Sequence, residues 1–573
     1  MAEETRVQHL IHSLEQGILA VVVRTAMFTA LIVALTLLYL FVQFRGLPNE
    51  AAMDQAQIAR NMADGNGFTT NFIRPIAIWQ LASAKKDIPT AEFPELNQAP
   101  LWPFVNSLIF RATGASAKMD IKDVVYIGDR VIAASAIFFF LLSVGIGFFL
   151  ARRLFDTRLA LLGSAAVLLT DLCWQFSLAG LPQMLMLFLF MLALYATVEA
   201  LKAQEAERRA LCVVLVGVAA ILLGLLTLAH GLGFWVFLGY AVFAALAFQP
   251  RVVVALMAVA LYLGVVSPWL IRNYAVSDNP FGVAGYTLAT YRGAEASLTR
   301  SLNPDMRAAS VGFKNKLRTA FTDQANTLFA NLGANIAALA FFFSLLHPFR
   351  NRVAASFRWA IFSMWIFSAF GMALFDAAPG PTANQITIIF LPVMVYFGFA
   401  FLLVLWGRLD FNTPLLRLGF LGVVLFAISL PLIFTLFAGS QGRVQWPPYI
   451  PPYIGILGKW TEPEEVLCSD MPWAVAWYAD RKCLLLPDTV STFNEISDYR
   501  LLGRSIVGLY LTPVTGNRPF ISEIVKGPYK EWAGFIMRTV NLRGFSLQSV
   551  LPLPIEGECV FYADRNRWDE KRE

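Results

Sequence analysis

The stretch VIAASAIFFFLLSVGIGFFL, residues 131–150, runs for its whole length without a charged side chain. Its length matches the roughly 20 residues that a helix needs to cross a hydrocarbon core of about 30 Å. Residues 26–42 and 386–406 form two further uncharged blocks. Because backbone polar groups in lipid must bond within the chain, these blocks predict membrane helices.

The composition of the whole chain agrees with that prediction. Of 573 residues, 57% are hydrophobic and 15% are charged, whereas soluble proteins average about 25% charged residues. The net charge of +6 comes from short basic clusters beside the apolar blocks, where membrane orientation places them. The basic balance therefore predicts contact with membrane lipids and no nucleic-acid partner.

The spacing of the apolar blocks predicts about eleven membrane helices. They lie near residues 26–44, 128–151, 157–172, 181–201, 210–228, 231–249, 252–271, 329–347, 356–376, 384–406 and 415–438. The basic clusters follow the even-numbered helices, and they are Arg152, Arg153 and Arg158; Lys202, Arg208 and Arg209; Arg251; Arg350, Arg352 and Arg358; Arg408 and Arg417. The positive-inside rule makes that side cytoplasmic, so the N-terminus is predicted to be cytoplasmic and the C-terminus outside.

This topology divides the chain into three regions. Residues 1–24 are expected to form a cytoplasmic amphipathic helix, because apolar residues recur there at helical spacing. Residues 25–440 form the membrane domain, with a first long loop (residues 45–127) and a second long loop (residues 272–327), both on the outer side. In residues 441–573, short strands are predicted at 465–468, 483–486, 506–511 and 559–562, with a helix at 472–480 between the first two. This strand–helix–strand pattern predicts a small extracytoplasmic α/β domain. Its cysteines, Cys468, Cys483 and Cys559, leave open which pair would be bridged in an oxidising compartment.

Two carboxylates in the first long loop are the leading candidates for chemistry. Glu50 and Asp54 are four residues apart in a stretch of helical type, so both project from one helix face. Neighbouring carboxylates raise one another's pKa, which favours a general base. The alternative interpretation is a helix cap followed by a solvated helix face.

Four short patches lie on the predicted outer side of the membrane domain. They are Ala52-Met53-Asp54 with Ile58-Ala59-Arg60-Asn61 and Gly65-x-Gly67-Phe68-Thr69-Thr70; Asn97-Gln98-Ala99-Pro100-Leu101-Trp102-Pro103; Ala179-Gly180-Leu181-Pro182; and Ser267-Pro268-Trp269-Leu270-Ile271-Arg272-Asn273-Tyr274 with Asn279-Pro280-Phe281. In their residues, their order and their predicted positions, these patches resemble bacterial glycosyltransferases of the GT-C type, which are similar to the protein O-mannosyltransferases and the aminoarabinose transferase of lipid A. The resemblance departs at Gln183, where relatives often have Glu, and at 379–385, which lacks the basic residue that many relatives place there.

The resemblance implies a fold, a location and a reaction. The fold would be an α-helical polytopic GT-C-like membrane domain, in the bacterial inner membrane, with the C-terminal domain in the periplasm. The reaction would move a sugar from a polyprenyl phosphate to a hydroxyl of a glycan, lipid or protein acceptor, with inversion. Asp54 is carried over first as the acidic residue that acts near the acceptor, and Glu50 second.

Basic and aromatic residues supply candidate binding groups for this reaction. Arg272 is the first candidate for the donor phosphate, with Arg130 and Arg74 next, because guanidinium groups bind phosphate oxygens through paired hydrogen bonds. Each of these arginines has an alternative role in membrane anchoring or structure. The aromatic residues that are candidates for sugar or acceptor binding are Trp473, Trp477 and Tyr478. The alternative role of these aromatic residues is packing in the core of a small domain.

The remaining alternatives concern metals and other membrane functions. The sequence has no CxxC pair, no HxxxH pair and no Walker loop, so it makes no case for a metal or nucleotide. A divalent metal stays open. One other function is a secondary transporter or lipid flippase, although internal repeats and mid-helix polar residues, typical of transporters, are missing. Another is an oligosaccharide or O-antigen ligase, which would transfer a preassembled glycan from a pyrophosphate carrier.

Overall fold

A computed structural model describes residues 18–89, 91–114, 125–288, 290–409, 413–437, 451–512, 515, 525–552 and 560–569. The chain falls into two compact units, one ending at Arg45 and the other beginning at Gly46. In the first unit, a helix (Ile18–Leu37) continues into a π-helical segment (Leu38–Gln43). The amphipathic helix predicted for residues 1–24 lies mostly outside the described residues.

Helices account for most of the described chain. In chain order they are α1 (Ile18–Leu37), α2 (Glu50–Ala63), α3 (Pro75–Ser83), α4 (Leu101–Thr113), α5 (Ile127–Leu154), α6 (Thr157–Leu168), α7 (Asp171–Leu178), α8 (Gln183–Glu205), α9 (Arg209–Ala229), α10 (Gly233–Ala247), α11 (Arg251–Ser277), α12 (Ala284–Thr287), α13 (Ala294–Leu298), α14 (Met306–Ser310), α15 (Phe313–Asn326), α16 (Leu328–Leu332), α17 (Asn335–Ser344), α18 (Arg352–Leu374), α19 (Leu391–Trp406), α20 (Pro414–Phe437), α21 (Pro451–Trp460), α22 (Pro472–Ala474), α23 (Val490–Asp498) and α24 (Ala533–Ile536).

The protein is a multi-pass membrane protein by the length and apolarity of these helices. Within the described residues, seven spans qualify: α5, α8, α9, α11, α18, the segment Thr387–Trp406 that ends with α19, and α20. The pair α6 and α7 adds an eighth if it is one span bent by 54°. Apolar segments such as α10 and Phe28–Gln43 are shorter than 18 residues. The number of about eleven spans therefore stays a prediction.

The break between α6 and α7 packs against the turn between α16 and α17. Gly333 has a φ of +74° and lies against this break, where a Cβ on Gly333 would be 2.9 Å from the Cβ of Leu172. A glycine is the residue that tolerates both the left-handed backbone and this close approach. The predicted single helix 329–347 is likewise divided there, into α16 and α17.

Burial separates the inner helices from the lipid-facing ones. In its most apolar window, α8 is 78% buried, whereas α11 and α20 are each 22% buried. Small residues bring the inner helices close together, as at Gly398, where a Cβ would overlap the backbone of Ala337. The helix α8 is thus central, and α11 and α20 present apolar side chains outward.

The C-terminal region forms a six-stranded sheet that includes one strand from elsewhere in the chain. The strands are β1 (Phe72–Ile73), β2 (Val466–Ser469), β3 (Lys482–Leu485), β4 (Ile506–Leu511), β5 (Ser549–Pro552) and β6 (Val560–Ala563), in the order β1-β3-β2-β4-β6-β5. The first four in that order run parallel, and β6 pairs antiparallel with β4 and β5. The sequence predicted β2, β3, β4 and β6 to within a residue, and the small α/β region is confirmed. It did not predict β1, which comes from the first long loop.

One apolar core joins both long loops to this sheet. Its buried side chains come from residues 73–96 of the first loop, from 283–309 of the second and from the C-terminal strands and helices. The two loops meet at Gly282, whose φ is +57° and where a Cβ would lie 2.0 Å from the carbonyl oxygen of Leu96. The loops and the C-terminal region are therefore one folded body, which fixes the position of α2.

Candidate active site

The helix α2 carries both predicted carboxylates. Asn49 precedes it in an extended conformation, Glu50 is its first residue, and Asp54 follows one turn later. The face that includes Asp54 is packed inside the protein, with all residues from Ala52 to Asn61 buried. The two carboxylates therefore have different environments although they lie on one helix.

Asp54 is completely engaged with other side chains. Its side chain is 1% exposed. One oxygen accepts hydrogen bonds from Arg74 at 2.7 Å and from Gln98 at 2.8 Å, and the other accepts from Gln57 at 3.1 Å. Both oxygens of this buried carboxylate are therefore occupied by side-chain donors of the protein.

Glu95 is a third acidic residue of this site, and the sequence analysis did not identify it. It is fully buried, and one oxygen accepts the backbone N–H groups of Asn97 and Gln98. Burial raises the pKa of Glu95, and the negative charge of Asp54 raises it further, against the effect of Arg74. Its position two residues before the Asn97–Pro103 patch was the only sequence signal.

A cavity of about 430 Å³ opens at the start of α2. Its lining residues are Pro48, Asn49, Glu50, Ala51, Met53, Asp376, Ala378, Thr382, Ala383, Asn384, Met471 and Trp473. They come from the first long loop, from the segment before Thr387 and from the C-terminal region. Carboxylates, amides and one tryptophan make this a polar cavity with an aromatic wall, which is a suitable lining for a sugar.

Glu50 is the predicted carboxylate that lines this cavity. Glu50 is exposed at the cavity, yet the surrounding protein limits the solvation of its carboxylate and raises its pKa. Arg74 lowers this pKa, and the negative charges of Glu295 and Asp54 raise it again, with a net increase. A carboxylate with a raised pKa that is open to a cavity is suited to accept a proton.

The three predicted phosphate-binding arginines have protein partners. Arg74 bonds to Asp54, and its guanidinium lies 3.8 Å from the ring of Phe72. Burial alone would lower the pKa of Arg74, but the charges of Asp54, Glu95 and Glu50 outweigh it and raise that pKa. None of the three lines the cavity.

Arg272 joins the C-terminal part of α11 to the first long loop. It donates to the backbone carbonyls of Glu95 and Phe68 and to the side chain of Asn273. Arg130 lies in the first turn of α5, directly after the buried Asp129. Both are thus near the ends of membrane helices, as the sequence analysis expected.

The three predicted aromatic residues separate into two groups. Trp473 is half-buried and reaches the cavity. Trp477 and Tyr478 are buried, and both donate hydrogen bonds to Asp129, at 2.7 and 2.9 Å. The structure therefore brings Trp473 together with Glu50, and it uses the other two to attach the C-terminal region to α5.

Arg60 makes a second attachment between α2 and the C-terminal region. It donates to the carbonyls of Ala476 and Trp477 at 2.6 and 2.7 Å and forms an ion pair with Asp480 at 2.8 Å. These carbonyls belong to a π-helical turn, Val475–Ala479, within the stretch that was predicted as an ordinary helix. The turn exposes its carbonyls to Arg60, which ties the helix of Glu50 to the region of Trp473.

Gln183 holds the cavity wall that precedes Thr387. It is the first residue of α8, and its amide nitrogen donates to the carbonyls of Thr382 and Ala383 at 3.0 and 2.8 Å. These hydrogen bonds explain why position 183 has Gln, where relatives of the resembled family often have Glu. An ionised Glu has no hydrogen to donate to these carbonyls.

Gln183→Glu is therefore expected to disturb this wall. The lost hydrogen bonds should lower the free energy of unfolding by about 1–3 kcal/mol. A melting experiment on the purified variant in detergent measures this loss, and Gln183→Met is the matched control without a charge. If Gln183→Glu melts like the wild type, the amide does not hold the wall.

Clustered metal-binding side chains and neighbouring cysteines are the features of the described residues that bear on metal and thiol chemistry. No group of three or more His, Cys, Asp or Glu side chains there could hold a metal ion. Cys468 and Cys483 are buried free thiols on neighbouring strands, so they do not bridge each other. Cys559 lies outside the described residues.

Comparisons with known proteins find relatives by structure and not by sequence. No protein-family model matches the chain, and no curated protein matches it. ArnT from Cupriavidus metallidurans in the apo state has a TM-score of 0.52 at 15% identity, covering 95% of this chain and 98% of that one. The same enzyme bound to undecaprenyl phosphate has a TM-score of 0.51 at 13% identity, covering 95% and 99%.

A third similar structure comes from an archaeal enzyme. The oligosaccharyltransferase AglB from Archaeoglobus fulgidus, in complex with an inhibitory peptide and a dolichol-phosphate, has a TM-score of 0.53 at 12% identity. The match covers 95% of this chain and 74% of that one. At identities this low the likeness establishes the fold. The resemblance found in the four sequence patches is thus confirmed for the architecture, and the protein has the GT-C fold of the membrane glycosyltransferases ArnT and AglB.

Proposed function

We propose that the protein transfers a sugar from a polyprenyl phosphate to an acceptor hydroxyl on the periplasmic side of the bacterial inner membrane. The observation that carries this proposal is the cavity beside α2, which places an acidic residue of raised pKa next to a tryptophan and amides. The fold adds support, because the similar structures include complexes with undecaprenyl phosphate and dolichol-phosphate. The basic clusters beside the even-numbered helices support the orientation.

The reaction is a single displacement at the anomeric carbon. The acceptor oxygen forms a bond to that carbon while the bond to the phosphate oxygen breaks, and the electron pair leaves with the phosphate. Glu50 takes the proton of the acceptor hydroxyl. Because the leaving phosphate is already a weak base, the reaction needs charge stabilisation at the phosphate more than a strong acid. One displacement inverts the anomeric configuration.

Glu50 is a better general base than Asp54 in this arrangement. A base must lie within hydrogen-bond reach of the proton that it removes. Glu50 lines the cavity, whereas both oxygens of Asp54 are occupied by Arg74, Gln98 and Gln57. We therefore assign proton removal to Glu50, and we assign to Asp54 the positioning of Arg74, whose charge acts on the pKa of Glu50.

Trp473 is the proposed sugar-binding aromatic residue. It reaches the cavity from the C-terminal region, and its ring lies edge-on to Phe72 at 5.9 Å. A tryptophan face stacks well on the apolar face of a sugar ring. Arg272 and Arg130 remain proposed phosphate ligands, and for Arg272 this requires exchanging loop carbonyls for phosphate oxygens.

The proposed role of Glu50 predicts a pH effect. The base works when deprotonated, so kcat/KM falls as the pH drops through the pKa of Glu50, which is raised from its ordinary value of 4.5. Glu295 is one cause of that increase, so Glu295→Gln should lower the pKa of Glu50. The acid limb of the pH–rate profile should then move to lower pH. Glu495→Gln, an exposed Glu on α23, is the control that should leave the limb in place. An unchanged limb in Glu295→Gln would argue against Glu50 as the titrating base.

A reconstituted assay tests the proposed function. Purified protein is mixed with a panel of polyprenyl-phosphate sugars and a membrane extract, and products are sought by mass spectrometry. The proposal predicts an acceptor that gains the mass of one sugar from at least one donor. The absence of product from every donor, when the extract contains acceptors that a known transferase modifies, would contradict it.

Oligosaccharide transfer is the second candidate function, and the likeness to AglB favours it. AglB is an oligosaccharyltransferase. This candidate predicts that the acceptor gains the mass of several sugars in one step. The mass added in the assay decides between the two.

A further inference from the structure

Lys316 is a buried lysine of the second long loop. It lies in the first turn of α15, and its side chain is 3% exposed. Lys314, two residues earlier on the same helix, is exposed. A lysine is seldom buried without a charged partner or a function.

The partner of Lys316 belongs to the cavity wall. The ammonium lies 3.6 Å from one oxygen of Asp376, and Asp376 lines the cavity together with Glu50. Further along α15, Gln324 donates to the carbonyl of Ala377 at 2.6 Å. The helix α15 thus lies directly behind this wall, and Lys316 is one residue away from the cavity.

The pair is incompletely satisfied within the described residues. At 3.6 Å the ammonium and the carboxylate attract each other but exceed hydrogen-bond distance. The other oxygen of Asp376 is buried there without a hydrogen-bond partner. Asp376 also has a φ of +48°, an uncommon value for a residue with a side chain. An ammonium with three donors can leave such a partner easily for a better acceptor.

The other cations near the site are more tightly engaged. Arg74 is bonded to Asp54 at 2.7 Å, and Arg272 is bonded to two backbone carbonyls. None of the three cations, Lys316 included, lines the cavity. Moving Arg74 or Arg272 to an anion in the cavity would break direct hydrogen bonds. Lys316 would give up the long contact with Asp376 and part of its attraction to Glu295.

We propose that Lys316 is a ligand for the phosphate group of the lipid-linked donor. This inference rests on the proposed function and adds a residue from the second long loop to the site. In the unliganded protein, Asp376 holds the ammonium behind the cavity wall. When the phosphate enters, the ammonium moves to a phosphate oxygen, and Asp376 is released to accept a hydrogen bond from the donor sugar. The phosphate is thus bound by a point charge, which does not require fixed orientation.

Direct binding of undecaprenyl phosphate tests this inference without a transfer reaction. Labelled undecaprenyl phosphate is bound to the purified full-length protein in detergent and displaced by unlabelled undecaprenyl phosphate, undecaprenol or inorganic phosphate. The variants are Lys316→Met, Lys316→Arg, Asp376→Asn and the matched control Lys314→Met. Melting temperatures are measured for all of them.

The expected results distinguish a Lys316 that binds the phosphate from one that only stabilises the cavity wall. Lys316→Met should weaken binding by about tenfold or more, since it removes a charged hydrogen bond. Lys316→Arg should retain most of the affinity, and Lys314→Met should retain all of it. Asp376→Asn should bind as tightly as the wild type or more tightly, because it removes the competing carboxylate. Unlabelled undecaprenyl phosphate should displace the labelled lipid, whereas undecaprenol and inorganic phosphate should not.

Three results would overturn the inference in distinguishable ways. If Lys316→Met and Asp376→Asn both lose affinity together with melting temperature, Lys316 only clamps the wall. If millimolar inorganic phosphate displaces the lipid, the ligand is a free anion. If undecaprenol displaces the label from the wild type as well as undecaprenyl phosphate does, or if the wild type binds neither lipid, a polyprenyl phosphate is not the donor. The proposed function itself is then wrong.

Discussion

Glu50→Gln is expected to lower the rate of sugar transfer by about 10²–10⁴-fold, the usual contribution of a general base. The amide cannot accept the proton of the acceptor hydroxyl, although it has nearly the same shape as the carboxylate. Because Glu50 is open to the cavity, its replacement leaves no buried charge unpaired. The loss should therefore appear in kcat, while undecaprenyl phosphate binding and the melting temperature stay close to the wild-type values.

Glu295→Gln is the matched control for this experiment, because Glu295 is an acidic residue near the site that does not line the cavity. Near its optimal pH this variant should transfer at close to the wild-type rate. A Glu50→Gln protein that transfers within about threefold of the wild type would remove Glu50 from the base role. If Glu50→Gln and Glu295→Gln lowered the transfer rate equally, the loss would reflect the removal of negative charge near the site and not the loss of a base.

Asp54→Asn is expected to act on stability as strongly as on activity. It leaves the buried guanidinium of Arg74, whose side chain is 11% exposed, without its carboxylate. Breaking a buried ion pair by removing one partner costs about 3–5 kcal/mol. Arg74→Met should cost a similar amount, because it leaves Asp54 with two amide donors and no cation.

The double variant Asp54→Asn with Arg74→Met separates this pairing from other effects. If the two side chains stabilise each other, the double variant should be less destabilised than the sum of the single variants, by more than about 1 kcal/mol. Chemical denaturation or melting in detergent provides the measurement, and Lys85→Met, at an exposed position just after α3, is a control. Additive effects would show that the ion pair does not organise α2.

Much of the architecture could be predicted from local patterns. Uncharged runs of membrane length identified α5, α9 and α11, because the requirement for internal hydrogen bonding acts on each segment alone. Short apolar runs of strand length identified β2, β3 and β4, because length and residue type are also local signals. The two-residue strand β1 could not be found this way. It exists because β3 offers an unpaired edge, and that edge is more than 400 residues away in sequence.

The site was predictable in part. Spacing on one helix placed Glu50 and Asp54 together, but it could not show that the cavity opens at Glu50. Asp54 differs from Glu50 because Gln98 and Arg74, which come from separate segments, donate hydrogen bonds to its carboxylate. Glu95 was not predicted because its raised pKa results from burial, which no local sequence pattern shows.

Lys316 was missed because a lysine in an amphipathic stretch normally faces solvent. The same limit applies to the aromatic residues of the C-terminal region. Their spacing in sequence is that of a cluster, yet Trp473 reaches the cavity and Trp477 points to Asp129. A π-helical turn makes the difference, and no local pattern predicted it. Both cases depend on contacts between distant segments.

The most direct test of the central claim is a product balance in liposomes. The protein is reconstituted with a polyprenyl-phosphate sugar, labelled separately in the sugar and in the lipid, and with acceptor from a membrane extract. If the protein is a transferase, one polyprenyl phosphate is released for each sugar that joins the acceptor, and Glu50→Gln releases it about 10²–10⁴-fold more slowly. If the labelled donor instead crosses the bilayer with its sugar still attached and no acceptor is modified, the protein is a transporter and the account is wrong.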